Sequence, residues 1–211
     1  MLDRLGIDVS IIETPYGVPM TTPFPEDEEH ASYDRDAVER FWRILDWSGN
    51  VFETFNGWFP GKTSPVQVFW HSLDLAFARF NGARAPPQPD ADPVTREAYS
   101  HEVIAFGFWA GDRAMPQPSY YSYVAPEPAG LRQTELPAPA YWSERNGGCL
   151  ALLPFEAVQR SLDPRRNLVA FLQGAYEAEA TAAGWDTATL ESSWCPTREG
   201  LMKLERGREG I

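Results

Sequence analysis

Residues 66–80, VQVFWHSLDLAFARF, carry the decision about the fold. The run follows the chain-breaking GKTSP at 61–65 and is rich in β-branched and aromatic residues, so it reads as one long strand. Side chains along a strand alternate between two faces. His71 then shares a face with Phe69, Leu73, Leu75 and Phe77, while Asp74 shares the other with Trp70, Ser72, Ala76 and Ala78. A histidine and an aspartate three apart are thereby separated, and only a bulge between them would restore contact.

Residues 97–110, EAYSHEVIAFGFWA, sort in the same manner as a second strand. Ile104, Phe106 and Phe108 form one face, with Ser100 and Glu102. Tyr99, His101, Val103, Ala105, Gly107 and Trp109 form the other. Pairing the two bulky faces sets Leu73, Leu75 and Phe77 beside Ile104, Phe106 and Phe108, as a core for helices to cover. The opposite face then combines small residues (Ala76, Ala78, Ala105, Gly107) with larger polar-tipped ones. Small residues in mid-strand let another group approach the sheet closely. A third strand begins at Ser119 in SYYSYVAP, and Tyr121 and Tyr123, or Tyr120 in the alternate register, extend this cupped face.

Working outward, residues 7–13, IDVSIIE, read as a strand, and EDEEHASYD at 26–34 as a solvated acidic loop. From Asp34 the period becomes helical. Val38, Phe41, Leu45, Phe52 and Phe55 lie on one side, Trp42 and Val51 widen the stripe, Asp34 or Ser32 supplies the N-cap, and Gly57 ends the helix. Gly49 in its middle costs about 1 kcal/mol relative to alanine. NGARAPPQPDADP at 81–93 reads as a proline-rich loop, and YWS and CLALLP flank an Asn-Gly-Gly hairpin signal. A second helix starts with Asp163 as cap and Pro164 at its first position. It buries Leu168, Phe171, Leu172, Ala175, Ala178 and Ala182, with Tyr176 widening the stripe and Gly184 as the stop. The expected architecture is α+β: an antiparallel meander of four to six strands with two main helices on one face.

The 211 residues suffice for one domain with a sizeable core, here 1–190, followed by a polar tail, 191–211, expected to be disordered. A net charge of −12 without a Lys/Arg cluster argues against nucleic acid. No apolar run is long enough to span a membrane and no signal peptide opens the chain, so a cytoplasmic location is expected. Cys149 and Cys195 lack metal-ligand spacing and read as two reduced thiols. The histidines His30, His71 and His101 show no HxH or HExxH spacing, so no metal is expected, and no residue pattern indicates a cofactor. Nucleotide-loop, nucleophile-elbow and kinase signatures are absent.

Three functional expectations follow. The first is a small-molecule pocket on the cupped face, drawing on Trp70, Ser72, Asp74, Tyr99, His101, Trp109, Tyr121 and Tyr123. The second is an enzyme there, with His101 as general base and Asp74 as its orienting group or acid, provided that they lie within hydrogen-bond reach. The third is an interaction or structural domain whose exposed sheet face docks missing strands or a partner chain, and an exposed sheet edge offers a route to a homodimer. The plain alternative for Asp74 and His101 is that each is a buried polar group satisfied by its neighbours.

Several stretches resemble a bacterial family known as domain of unknown function 5996. They are HASYD with RFWRIL, KTSPVQVFWHSLDLAFARFNGARAP, DPVTREAYSHEVIAFGFWAGD, YYSYVAPEPAGL and LLPFEAV, and the resemblance runs from about Leu5 to about Leu190. It implies no activity, ligand or cofactor for any residue. It does imply a further tryptophan- and β-rich region before LGIDV, so the chain is expected to be N-terminally truncated relative to the family. Missing strands, or a second copy of the chain, would then be candidates to cover the small-residue face.

Overall fold

The computed structural model describes residues 2–14, 20–69, 72–145 and 147–190. It divides into two compact units, Met1–Trp42 and Arg43–Ile211.

In the first unit, 3-10 turns form at Leu2–Leu5 and Phe24–Glu26, and the Phe24 amide donates to the Glu13 carbonyl. The strand expected at 7–13 does not form: the segment is irregular, with Ile11 and Ile12 74% and 81% exposed. An apolar alternation becomes a strand only against a partner and a half-buried surface, and among the described residues this segment has neither. The acidic loop is exposed, as expected. Asp27 accepts from the amides of Glu29 and His30 and from His30 Nδ1, which lowers its pKa.

Helix α1, Arg35–Asn56, starts where the Asp34 carboxylate accepts from the Ala37 amide. Its buried residues are Leu45, Ser48, Val51, Phe52 and Phe55. The expected stripe is therefore shorter at its start, because Val38 and Trp42 are exposed.

The second unit is built on seven strands: β1 Lys62–Thr63, β2 Gln67–Val68, β3 Leu75–Arg84, β4 His101–Trp109, β5 Ser119–Ala125, β6 Tyr141–Arg145 and β7 Gly148–Pro154. All pairings are antiparallel, in the order β1-β3-β4-β5-β7-β6, with β2 also paired to β3. The meander holds through β3, β4 and β5. The chain then runs to the edge as β6 and returns inside it as β7. Arg145 and Gly148 are the last pair of that hairpin, and Gly147 in its turn has φ +78°, the left-handed conformation that glycine adopts most easily. Asn146 of the expected turn signal lies outside the described residues.

Residues 66–80 are not one strand. Gln67 pairs with Ala76 and Val68 with Leu75, so β2 folds back on the start of β3. The Phe69 amide donates to the Asp74 carbonyl and the Leu73 amide to the Phe69 carbonyl, closing the loop. Leu73 adopts φ +56° and is 55% exposed, away from the core position expected for it. A non-glycine residue in that region is uncommon and leaves no mark in the sequence. His71 lies outside the described residues. At the other end, β3 continues to Arg84, through residues read as loop.

The face assignment survives the turn. Leu75 pairs with Phe108, Phe77 with Phe106 and Arg79 with Ile104, all on one side. Helix α1 from Arg43 onward and helix α4, Pro164–Ala182, cover that side. Phe52 meets Phe77 at 5.3 Å, Phe55 meets Phe106 at 5.5 Å, and Ser48 is hydrogen-bonded to the Tyr120 hydroxyl, whose pKa burial pushes up to about 12. Arg79 threads the same core. Its guanidinium lies 3.7 Å from the Phe55 ring centroid and donates to the Phe55 carbonyl.

Asp163 caps α4 and Pro164 opens it, as expected, although Ala178 and Ala182 are only half-buried. A side chain on Gly174 would strike Pro137, so this glycine lets the helix lie against the 126–140 crossover. Two short helices, α3 Phe155–Gln159 and α5 Thr187–Leu190, flank α4. Helix α2, Pro93–Ala98, replaces the first residues of the expected second strand: Asp92 caps it, Pro93 opens it and Tyr99 closes it. The expected tail, 191–211, and Cys195 lie outside the described residues, and Cys149 is a buried free thiol. The fold is α+β, with five helices and a seven-stranded antiparallel sheet among the described residues.

Candidate functional site

The face opposite the long helices carries Ala76, Ala78 and Phe80 of β3, Val103, Ala105 and Gly107 of β4, and Tyr121 and Tyr123 of β5. The register fixes this arrangement, pairing Ala76 with Gly107, Ala78 with Ala105, Gly107 with Tyr121 and Ala105 with Tyr123. A cavity of about 400 Å³ lies here, with Ala76, Ala78 and Ala105 in its lining, together with Phe69, Ser72, Asp74, Phe80, Tyr99, Tyr121 and Tyr123.

The β2–β3 turn delivers Asp74 to one end of the cavity. Ser72 Oγ donates to Asp74 Oδ1 at 2.5 Å, and Tyr121 Oη donates to Asp74 Oδ2 at 2.5 Å. At the other end Tyr99, carried by the C-terminus of α2, shares a 3.0 Å hydroxyl–hydroxyl hydrogen bond with Tyr123. The rings of Tyr121 and Tyr123 lie nearly parallel, 6.2 Å apart. Burial and the neighbouring Asp74 carboxylate push the Tyr121 phenol well above its ordinary pKa, and burial and Tyr99 do the same to Tyr123. Both therefore stay protonated around neutral pH and serve as hydrogen-bond donors, not as phenolate bases. The Tyr99–Tyr123 pair also lines a second, more open cavity of about 620 Å³ with Thr95, Glu127, Arg145 and Cys149.

Gly107 makes room for the Asp74–Tyr121 contact. A Cβ there would fall well inside 3.0 Å of the Tyr121 Cζ and Oη atoms. Gly107→Ala should therefore displace the phenol and cost about 1–3 kcal/mol by overpacking. This outweighs the roughly 0.5–1 kcal/mol that alanine gains over glycine in a strand. In a Tyr121→Ala background the same substitution should become neutral or stabilising. A double-mutant cycle by urea unfolding measures the coupling, and equal effects in both backgrounds would remove Tyr121 as the reason for the glycine.

Of the eight residues expected at the site, Ser72, Asp74, Tyr99, Tyr121 and Tyr123 meet around this cavity. His101 and Trp109 do not. His101 pairs with Arg84 whereas Leu75, next to Asp74, pairs with Phe108. The step of seven positions from His101 to Phe108 corresponds to about 24 Å of strand. The expected acid/base couple is thus set at opposite ends of β4, and His101 instead contacts the Ser100 hydroxyl at 3.1 Å. Trp109 carries the Arg145 guanidinium 4.2 Å above its ring, and Arg145 pairs with Asp112 at 2.6 Å. Trp70 lies outside the described residues. Phe69 and Phe80 line the cavity without having been expected there: Phe80 has the parity of Ala76 and Ala78, whereas Phe69 arrives through the turn.

Among the described residues no three His, Cys, Asp or Glu side chains converge as a metal site, and no helix is long and apolar enough to cross a membrane. With helices over one sheet face and an aromatic cavity on the other, the domain falls in the α+β class. The chain belongs to a family of unknown function, DUF5996, whose model matches residues 1–192. No curated protein and no solved structure matches it.

Proposed function

We propose that the protein is a small-molecule-binding domain whose ligand occupies the cavity beside Ala76, Ala78 and Ala105. The observation that carries this reading is the joint lining of small floor residues, tyrosine walls and a single oriented carboxylate around about 400 Å³. Ligand sites have this make-up: mostly apolar walls, a few convergent polar groups and a volume of roughly 300–1,000 Å³. Among the described residues no general base is hydrogen-bonded to Asp74, and the two half-buried tyrosines hold their protons. Binding without chemistry is therefore favoured.

The test is a thermal-shift screen of the 211-residue chain against a metabolite library, repeated with Ala78→Leu. The leucine projects into the cavity from a half-buried position, so it should leave the unfolding midpoint nearly unchanged. Genuine hits should lose roughly tenfold or more in affinity, equivalent to about 1.4 kcal/mol. A silent screen, or hits indifferent to Ala78→Leu, would count decisively against this cavity.

A further inference from the structure

The cavity has a charge as well as a shape. Asp74 is the one formally charged side chain among its described lining residues, and no lysine, arginine or histidine accompanies it there. Its hydrogen-bond partners, Ser72 and Tyr121, are neutral hydroxyls, and no ion pair reaches it among the described residues. The two hydroxyls orient the carboxylate without neutralising it. Each carboxylate oxygen can accept more than one hydrogen bond, so acceptor capacity remains for a ligand.

The rest of the lining is rich in aromatic rings, those of Phe69, Phe80, Tyr99, Tyr121 and Tyr123, and Tyr121 is the one that touches the Asp74 carboxylate directly. Aromatic rings attract cations through their quadrupoles, more strongly where water is excluded. We infer that the cavity takes a small protonated amine with an apolar body, its ammonium on Asp74 and its body among the tyrosine and phenylalanine rings. This assignment rests on the binding reading above and narrows it to a ligand class.

The alternatives fail on electrostatics. A neutral ligand of the same shape would displace water from the Asp74 carboxylate and return no charge to it. An anion would face Asp74 directly, within a chain of net charge −12. An ammonium supplies a charge-assisted N–H···O hydrogen bond, and the same net charge steers it in. The protonated phenols of Tyr121 and Tyr123 fit the arrangement, because Tyr121 donates to Asp74, Tyr123 shares a hydrogen bond with Tyr99, and neither adds a second negative charge.

Calorimetric titration of the full chain at pH 7 with a matched trio tests the class: 2-phenylethylammonium, 2-phenylethanol and 3-phenylpropanoate. The ammonium should bind roughly tenfold or more tighter than the alcohol, as expected for a charge-assisted contact, and the carboxylate should bind weakest. Asp74→Asn retains an acceptor for Tyr121 and should erase the preference for the ammonium. A preference for the alcohol or the carboxylate overturns the amine assignment while leaving the cavity as a binding site. Silence from all three compounds beside genuine library hits does the same. Silence from the trio and from the library together removes both readings. Because the trio is read on the native chain, the outcome does not depend on the variant folding.

Discussion

Phe106→Ala is expected to destabilise the protein by about 3–5 kcal/mol, the range for truncating a fully buried aromatic residue. Phe106 has no exposed surface, stacks on Phe77 at 5.1 Å and 18°, and meets the Phe55 ring edge-on at 5.5 Å. The Arg79 guanidinium lies 5.7 Å from its centroid. Truncation therefore opens a cavity between α1 and the sheet and removes one aromatic wall from a buried cation. A domain of this size has roughly 5–15 kcal/mol of stability in all, so one substitution would consume a large share of it.

The informative comparison is Phe80→Ala, on the same two-stranded pairing but the opposite face. Phe80 is half-buried and lines the open cavity, so its loss should cost distinctly less. Urea unfolding of both variants separates the faces. If Phe80→Ala proved as costly as Phe106→Ala, the helix-covered side would not be the core.

How much of this was legible depends on the kind of signal each residue leaves. Alternation in β3 and β4 is strong because one face is bulky and the other small, so the sides of Phe77, Phe106, Ala78 and Ala105 could be read directly. Alternation says which face a residue occupies, not where it lies along the partner strand. Alternation sets His101 and Asp74 on the same face, and antiparallel order then puts residue 101 near 84 and residue 74 near 108. That consequence was available from the pairing already inferred.

The turn at 69–74 was not available. It contains no Gly or Asn-Gly signal, and its strained position falls on Leu73. Helix α2 is an intermediate case. Asp92-Pro93 repeats the Asp163-Pro164 signal that marks α4, but six residues without an apolar stripe leave the proline-rich approach dominant. Tyr99 reached the site all the same, through a helix end instead of a strand.

Glu179→Gln is expected to flatten the alkaline side of the stability profile. Glu179 is fully buried on α4. Its Oε2 accepts from Ser122 Oγ at 2.5 Å, and its Oε1 has no partner among the described residues. It could have been anticipated, because it follows Leu168, Leu172 and Ala175 at helical spacing on the buried side. Burial pushes its carboxyl well above the ordinary value of 4.5, so the folded chain keeps a proton that the unfolded chain releases. The sign follows from linkage. Above about pH 4.5 unfolding releases this proton, so stability falls as pH rises, by up to about 1.4 kcal/mol per pH unit, until the folded carboxyl itself ionises.

Glutamine keeps the shape and an acceptor for Ser122 without the proton. The variant should therefore match the native chain near pH 4.5 and gain on it steadily between pH 5 and 7. Asp27 and Asp112, both held below their ordinary values, titrate in native and variant chains alike and cancel in the difference. Urea unfolding at pH 5, 6 and 7 reads the divergence. Parallel curves would mean that Glu179 is ionised in the folded core. Burial, with only the neutral Ser122 hydroxyl as partner among the described residues, makes that the costlier state.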